Sequence, residues 1–161
     1  MQLVYPSHGV KRILKQRDRL GILTFDNQVF WKLKPRPLRE VRINRDLQAV
    51  LQNIFARGST AIYDAIDTVL SSMHSPTNHT AIILGTDGED NASGKNLQDL
   101  TKTLESRPNT QLYVLDIHGV AATSADFASF CQHKQVKYLL VKENDIEQTI
   151  CSTVQELRKK T

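Results

Sequence analysis

Two side chains in this sequence, the hydroxyl of Thr60 and the carboxylate of Asp87, could together bind a divalent cation. Thr60 lies in Gly58-Ser59-Thr60-Ala61, just before the apolar face of a predicted helix. Asp87 lies in Thr86-Asp87-Gly88, a turn that follows a short apolar run. Carboxylate, hydroxyl and water oxygens are hard ligands, which suit Mg²⁺, Mn²⁺ or Ca²⁺ and not a metal that prefers thiolates.

The elements around both residues must bring them to one place. Residues 80–85 are a predicted buried strand, and Ile62, Ile66, Val69 and Leu70 share one face of a predicted helix. Ligands of an open α/β sheet bind outside the carboxyl ends of its strands. We therefore expect Asp87 at that edge, and Thr60 facing the same crevice.

Each of these two sequence segments, taken alone, has a simpler structural explanation. A Ser-Thr pair at a helix start, as in Ser59-Thr60, is most often a helix cap, and Thr86-Asp87-Gly88 on its own is an ordinary turn. Glu89 and Asp90 could assist a cation, but solvated turn acids are the favoured interpretation. The occurrence of both segments, one before a predicted helix and one after a predicted strand, favours the cation site.

The rest of the sequence alternates predicted strands and helices. Further strands are predicted at 20–25, 28–33, 111–117 and 137–141. Helices are predicted after Asn44, around 97–104, at 126–133, and from Asn144 or Asp145 to the C-terminus. This order predicts a doubly wound α/β sheet, mostly parallel, with helices on both faces and one antiparallel edge strand that Pro35 and Pro37 end.

Composition bounds the class of protein. The 161 residues are enough for one domain, with 40% hydrophobic and 24% charged residues, and no apolar run reaches the roughly 18 residues of a membrane span. Met1 to Gly9 do not resemble a signal peptide, and two cysteines, Cys131 and Cys151, cannot form a disulfide framework or a zinc site. An intracellular location is expected.

The charge is unevenly distributed. Residues 1–45 hold eleven Lys or Arg against three acids, a balance of +8, whereas residues 46–161 hold ten against fourteen, a balance of −4. A basic face could meet an acidic partner or nucleic acid. The favoured interpretation is a solvated helix face and a sheet edge protected by lysines.

Three stretches resemble a von Willebrand factor A domain, and the resemblance covers nearly all of the chain. Residues 18–25 resemble the second strand of that family, residues 57–66 its threonine loop, and residues 82–91 its third metal-site loop. The resemblance implies a metal-ion-dependent adhesion site, in which a cation keeps one position open for a carboxylate of the partner. Thr60 and Asp87 match the threonine and the third-loop aspartate of that site.

The first motif of the family, Asp-x-Ser-x-Ser, does not occur in this sequence. In one interpretation the chain is an N-terminally incomplete single domain over residues 1–161, with Leu3, Ser7, Val10 and Leu14 on its first helix. In the other, Leu3-Val4-Tyr5 is a vestigial strand and the loop after it has decayed. Either way we expect weak cation binding or none, and neighbouring strand edges that the N-terminal segment, a second copy or a partner must cover.

Three classes of function follow. The favoured one is a non-catalytic protein–protein interaction module. A metal-dependent hydrolase or phosphotransferase would need a base near Asp87, for which His118 is the best-placed histidine. A nucleic-acid binder would use the basic third, but its aromatic residues there are few, Phe30 and Trp31 being the nearby pair. Self-association through sheet edges is a further expectation.

Overall fold

The computed structural model describes residues 14–41, 59–73 and 77–159. Two strands, β1 (Arg19–Phe25) and β2 (Val29–Pro37), form an antiparallel hairpin. The Asp26 carboxylate accepts a hydrogen bond from the Gln28 N–H at 2.8 Å, which closes the turn between them. The expectation that Pro35 and Pro37 end the second strand holds for Pro37, which is its last residue, and is wrong for Pro35, through which β2 continues. Within the described residues β2 pairs only with β1, so a proline can lie on its free side.

A second sheet is parallel and three-stranded. It consists of β3 (Thr80–Thr86), β4 (Thr110–Asp116) and β5 (Val136–Leu140), with β4 in the centre. The register pairs Thr86 with Asp116, and Asp116 with Leu140, so all three strands end at the same edge. The central position of β4 agrees with its sequence, a nearly continuous apolar run that is buried on both faces.

The described residues form four α-helices that flank this sheet: α1 (Ile62–Ser72), α2 (Leu97–Glu105), α3 (Ala125–Phe130) and α4 (Ile146–Lys159). The main core lies between the first three and alternate residues of the strands; its members include Ile62, Ile66, Leu70, Ile82, Leu84, Leu100, Leu104, Leu112, Val114 and Phe127. Each such side chain stabilises the fold by about 1.5–3 kcal/mol on burial. Lys137, which faces the other way from β5, pairs with Glu156 of α4, so helices cover both faces.

The two sheets meet through residues 60 and 61. The Ala61 N–H donates to the Asp26 carbonyl at the end of β1, at 2.7 Å, and the Asn91 N–H donates to the Thr60 carbonyl at 2.9 Å. No strand pairing joins β1 to β3 within the described part of the chain. The ends of β1 and β3 therefore lie at one common edge, which we call the rim; it comprises the loops 26–28, 87–96, 117–124 and 141–145.

The architecture confirms the predicted α/β class with one antiparallel edge strand. The predicted helix after Asn44, and the residues Leu3 to Val10 assigned to a first helix or strand, lie outside the described residues. Leu14, assigned to the same first helix, is described and lies in a bend, where it packs against the small core beside β2. No helix in the described ranges is long and apolar enough to cross a membrane.

Candidate functional site at the rim

Thr60 and the Asp87 turn lie side by side at the rim. The Thr60 hydroxyl is 3.8 Å from the point where a Cβ would stand on Gly88, the residue after Asp87. The turn is held by Thr86, 2% exposed, whose hydroxyl donates to the Gly88 carbonyl at 3.1 Å and accepts from the Gly88 N–H at 3.3 Å. The structure thus brings together the two loops that the sequence indicated.

The side-chain oxygens of Thr60 and Asp87 are available to a ligand. Asp87 is exposed, and neither its carboxylate nor the Thr60 hydroxyl makes a hydrogen bond or ion pair with the residues that the structure describes. The rest of the Thr60 residue is firmly held, since its N–H donates to the Asn91 side chain at 2.7 Å and its carbonyl accepts from the Asn91 N–H. A ligand at the rim would therefore meet a fixed backbone and two available oxygen groups.

Asp90 has a different role, as the cap of a distant helix. Its Oδ1 accepts hydrogen bonds from the N–H groups of Ile62, at 2.6 Å, and Tyr63, at 3.3 Å, and from the Ser93 hydroxyl. The first N–H groups of a helix have no partner within the helix, and a carboxylate there also interacts favourably with the helix dipole. Asp90 is consequently a structural residue of α1, and its Oδ1 is already engaged in three hydrogen bonds.

The same loop makes further bonds to the start of α1. The Ser93 hydroxyl accepts from the N–H groups of Tyr63, at 3.0 Å, and Asp64, at 3.1 Å. In return the Asp64 carboxylate accepts from the N–H groups of Gly94, at 3.0 Å, and Lys95, at 2.9 Å. We call residues 90–95 the α1 clasp. It fixes the loop that carries Asp87 to the helix that follows Thr60.

The clasp corrects two expectations. Ser59 or Thr60 was expected to cap this helix, but the N-cap residue is Ala61 and no neighbouring side chain caps it. Asp90 was expected to be a solvated turn acid, and it is instead a tertiary cap. A sequence signal was present in the run Asp90-Asn91-Ala92-Ser93, which is rich in capping residues although no helix begins directly after it.

The oxygens of Thr60 and Asp87 are of the type that a hard cation binds, but they are too few to complete its coordination. Thr60 and Asp87 would hold it, and Mg²⁺ requires near-octahedral coordination by about six oxygens. Among residues 14–41, 59–73 and 77–159, no three His, Cys, Asp or Glu side chains converge as a metal-binding group. A cation bound by this part of the chain would take most of its ligands from water.

A second carboxylate at the rim, Asp116 at the end of β4, is fully buried and was not singled out from the sequence. It accepts hydrogen bonds from the Tyr138 hydroxyl at 2.9 Å and from the N–H groups of Gly119, at 2.8 Å, and Ala122, at 3.3 Å. Burial, together with the hydrogen bond to Asp116, raises the pKa of Tyr138 to about 12. Asp116 therefore orders the loop after β4 and is not an open ligand.

Cys131 and His118 are two further titratable groups near this end of the sheet. Burial, and then the charge of Asp116, raises the pKa of the Cys131 thiol to about 11, so the thiol is a poor nucleophile. His118 is exposed, and its Nε2 lies 3.8 Å from Oε1 of Glu143 in the loop after β5. Within the described residues His118 makes no hydrogen bond or ion pair with Asp87.

Solved structures with a similar fold include von Willebrand factor A proteins. A von Willebrand factor type A protein from Catenulispora acidiphila aligns with a TM-score of 0.71 and 11% identity, over 92% of this chain and 36% of its own length. The conserved hypothetical protein BatB from Bacteroides thetaiotaomicron aligns with a TM-score of 0.60 and 18% identity, over 94% of this chain and 86% of its own.

A third similar structure carries a metal. Proximal thread matrix protein 1 from the mussel byssus, described with a zinc-occupied MIDAS motif, aligns with a TM-score of 0.60 and 18% identity, over 84% of this chain and 35% of its own. This chain thus spans about a third of that protein and of the Catenulispora acidiphila protein. No protein-family model and no curated protein sequence matches the chain.

Proposed function

We propose that this chain, which has the von Willebrand factor A fold, is a non-catalytic protein–protein interaction module whose rim holds an incomplete metal-ion-dependent adhesion site. The observation that carries the proposal is the Thr60 hydroxyl beside the Asp87-Gly88 turn, with both oxygen groups available and the surrounding backbone fixed. The zinc-occupied site described for proximal thread matrix protein 1 supports a cation at this edge of the fold.

The cation contributes one feature to the proposed site, a position open to a carboxylate of a partner. Two protein oxygens hold a divalent ion weakly, so we expect dissociation constants on the order of 10⁻³ M, comparable to the weakest oxygen-ligand sites. The chain's own residues provide the fixed geometry: the α1 clasp positions the turn of Asp87, and the Thr60 backbone is bonded to Asn91.

Calorimetric titration with Mn²⁺ and with Mg²⁺ tests the site directly. Weak binding is expected in the wild-type chain, and loss of the heat is expected in Thr60→Ala and in Asp87→Ala. Glu105→Gln, which neutralises an exposed carboxylate at the end of α2, is a matched control that should bind like the wild type. Micromolar affinity, or binding that survives both substitutions, would show that other residues form the site.

Acetate tests the interaction part of the proposal. Acetate is a minimal model of a partner's carboxylate. In NMR spectra recorded with the diamagnetic ion Mg²⁺ present, it should shift the amide resonances of Thr60 and Gly88. Without a divalent ion it should leave them unchanged. Shifts that are the same with and without the ion would contradict a metal-bridged contact. Hydrolysis of p-nitrophenyl phosphate that depends on Asp87 would contradict the non-catalytic assignment and favour the hydrolase.

A further inference from the structure

The proposed site leaves two exposed apolar surfaces unexplained, one on β2 and one at the rim near β5. The exposed large apolar side chains of the described residues are Phe30 (43% exposed), Val120 (37%) and Leu140 (68%). Phe30 is on β2, and the other two are at the rim near β5. Residues 60 and 61 connect the end of β1 to the loop after β3, so β5 is the strand farthest from β2.

Val120 and Leu140 lie close together, and two acids contact the same loop. A Leu140 methyl carbon is 3.5 Å from the Cβ position of Gly119, so Leu140 lies against the loop that carries Val120. In that loop the Thr123 hydroxyl contacts Glu89, and His118 faces Glu143. We call Val120 and Leu140 the rim apolar pair.

The rim around this pair is acidic although the chain is basic overall. The loops 87–96, 117–124 and 141–145 hold five acids, Asp87, Glu89, Asp90, Glu143 and Asp145, against Lys95 and Lys142, a balance of −3. Asp90 belongs to the α1 clasp, but its negative charge still contributes to the electrostatic field of the rim. The rim therefore favours a partner surface that is apolar and positively charged.

The outward face of β2 has that chemistry. Phe30, Lys32 and Lys34 alternate along the strand and are exposed, and the Lys32 ammonium lies 6.0 Å from the centre of the Phe30 ring. Neither lysine makes an ion pair with the residues that the structure describes. The surrounding residues 14–41 hold seven Lys or Arg against three acids, so the field there is positive.

We propose that two copies of the chain associate head to tail, with Phe30, Lys32 and Lys34 of one copy against the rim apolar pair and the carboxylates near it on the next. The two surfaces differ, so the contact is heterologous, and in a pair joined by one such contact each copy keeps one free surface for a further copy. The contact itself involves neither Thr60 nor Asp87, and the Asp87 carboxylate adds only one of the five negative charges of the rim. The outcome for this contact is therefore separable from that of the cation titration.

Sedimentation equilibrium of the whole chain tests the contact. The average mass should rise with concentration at low salt, and association should weaken by about tenfold between about 50 and 500 mM NaCl, because exposed charges are screened. Two variants, Leu140→Ser and Lys32→Glu/Lys34→Glu, should each be monomeric. The control Lys102→Glu/Lys134→Glu makes the same charge change at exposed lysines elsewhere and should associate nearly as the wild type does, since only its overall charge has changed.

A mixture of the two monomeric variants distinguishes this contact from other modes. Leu140→Ser keeps the β2 face and Lys32→Glu/Lys34→Glu keeps the rim, so a mixture should form a one-to-one dimer and nothing larger. A contact of β2 with β2 would leave Leu140→Ser associated, which would overturn the proposal. A wild-type chain that stays monomeric at low salt, or a mixture that stays monomeric although circular dichroism shows both variants folded, would also overturn it.

Discussion

Removal of the Asp90 carboxylate should destabilise the fold, whereas removal of the Asp87 carboxylate, three residues earlier, should not. Asp90 Oδ1 accepts from two N–H groups of α1 and orients Ser93, which accepts from Tyr63 and Asp64. Asp87 is exposed and makes no such bonds within the described residues. The two positions are thus a matched pair within a single turn.

The magnitude follows from the bonds lost in Asp90→Ala. A missing N-terminal cap costs about 1 kcal/mol, and hydrogen bonds to a charged acceptor contribute about 1.5–3 kcal/mol each in favourable cases. Because Asp90 is partly exposed and water can replace some of these bonds, we expect a loss of about 2–3 kcal/mol. For a domain of this size that corresponds to a fall in Tm of about 4–12 °C. Asp90→Asn keeps an acceptor oxygen and should lose about 1 kcal/mol or less.

Urea unfolding followed by circular dichroism measures these differences. The midpoint should fall in Asp90→Ala without a change in the slope m, since the same surface is exposed on unfolding. Asp87→Ala should stay within about 0.5 kcal/mol of the wild type, as substitutions of exposed residues generally do. Equal midpoints for Asp90→Ala and Asp87→Ala would refute the assignment of Asp90 as the cap of α1.

Three further outcomes follow from the rim. In urea unfolding, Tyr138→Phe should be less stable than the wild type at pH 8, and the difference should shrink between pH 10 and about 12. The pKa of Tyr138 is raised from 10.0 to about 12, and the stability that this shift gives the wild type is lost as the pH rises through that window. Cys131 should react with iodoacetamide at pH 8 at least about tenfold more slowly in the native chain than in urea, as mapped by mass spectrometry, since burial raises the pKa of its thiol to about 11. Gly119→Ala should lower the free energy of unfolding by about 1 kcal/mol in thermal unfolding, because Gly119 has a φ of 72°. Gly88→Ala should be nearly neutral, because its new methyl group would lie an ordinary 3.8 Å from the Thr60 hydroxyl. Equal losses in the two variants would contradict the strain argument.

The strands could be predicted because their signals are local. Residues 20–25 and 80–85 are short apolar runs bounded by turn residues, and the structure has strands at Arg19–Phe25 and Thr80–Thr86. The position of Asp87 at the rim followed from the same signal, since it lies just beyond the end of a parallel strand. Proximity of Thr60 to that turn followed from the topology of open α/β sheets.

The cap of α1 could not be predicted by local rules. Those rules assign a cap to the residue directly before the helix, here Ser59 or Thr60, whereas the acceptor is Asp90, 28 residues away from Ile62. The burial of Asp116 was missed for a similar reason. Its partners Gly119 and Ala122 are near in sequence, but the Tyr138 hydroxyl comes from the neighbouring strand.

The separate roles of Asp87 and Asp90 change what the acidic turn says about function. Asp90, Asn91 and Ser93 hold the start of α1, so this fold needs them whether or not a cation binds. The presence of Thr86-Asp87-Gly88-Glu89-Asp90-Asn91 in a sequence is therefore better evidence for the fold than for a metal site. Only Asp87, which the fold does not use within the described residues, is informative about a ligand, and its substitution is the experiment that separates binding from folding.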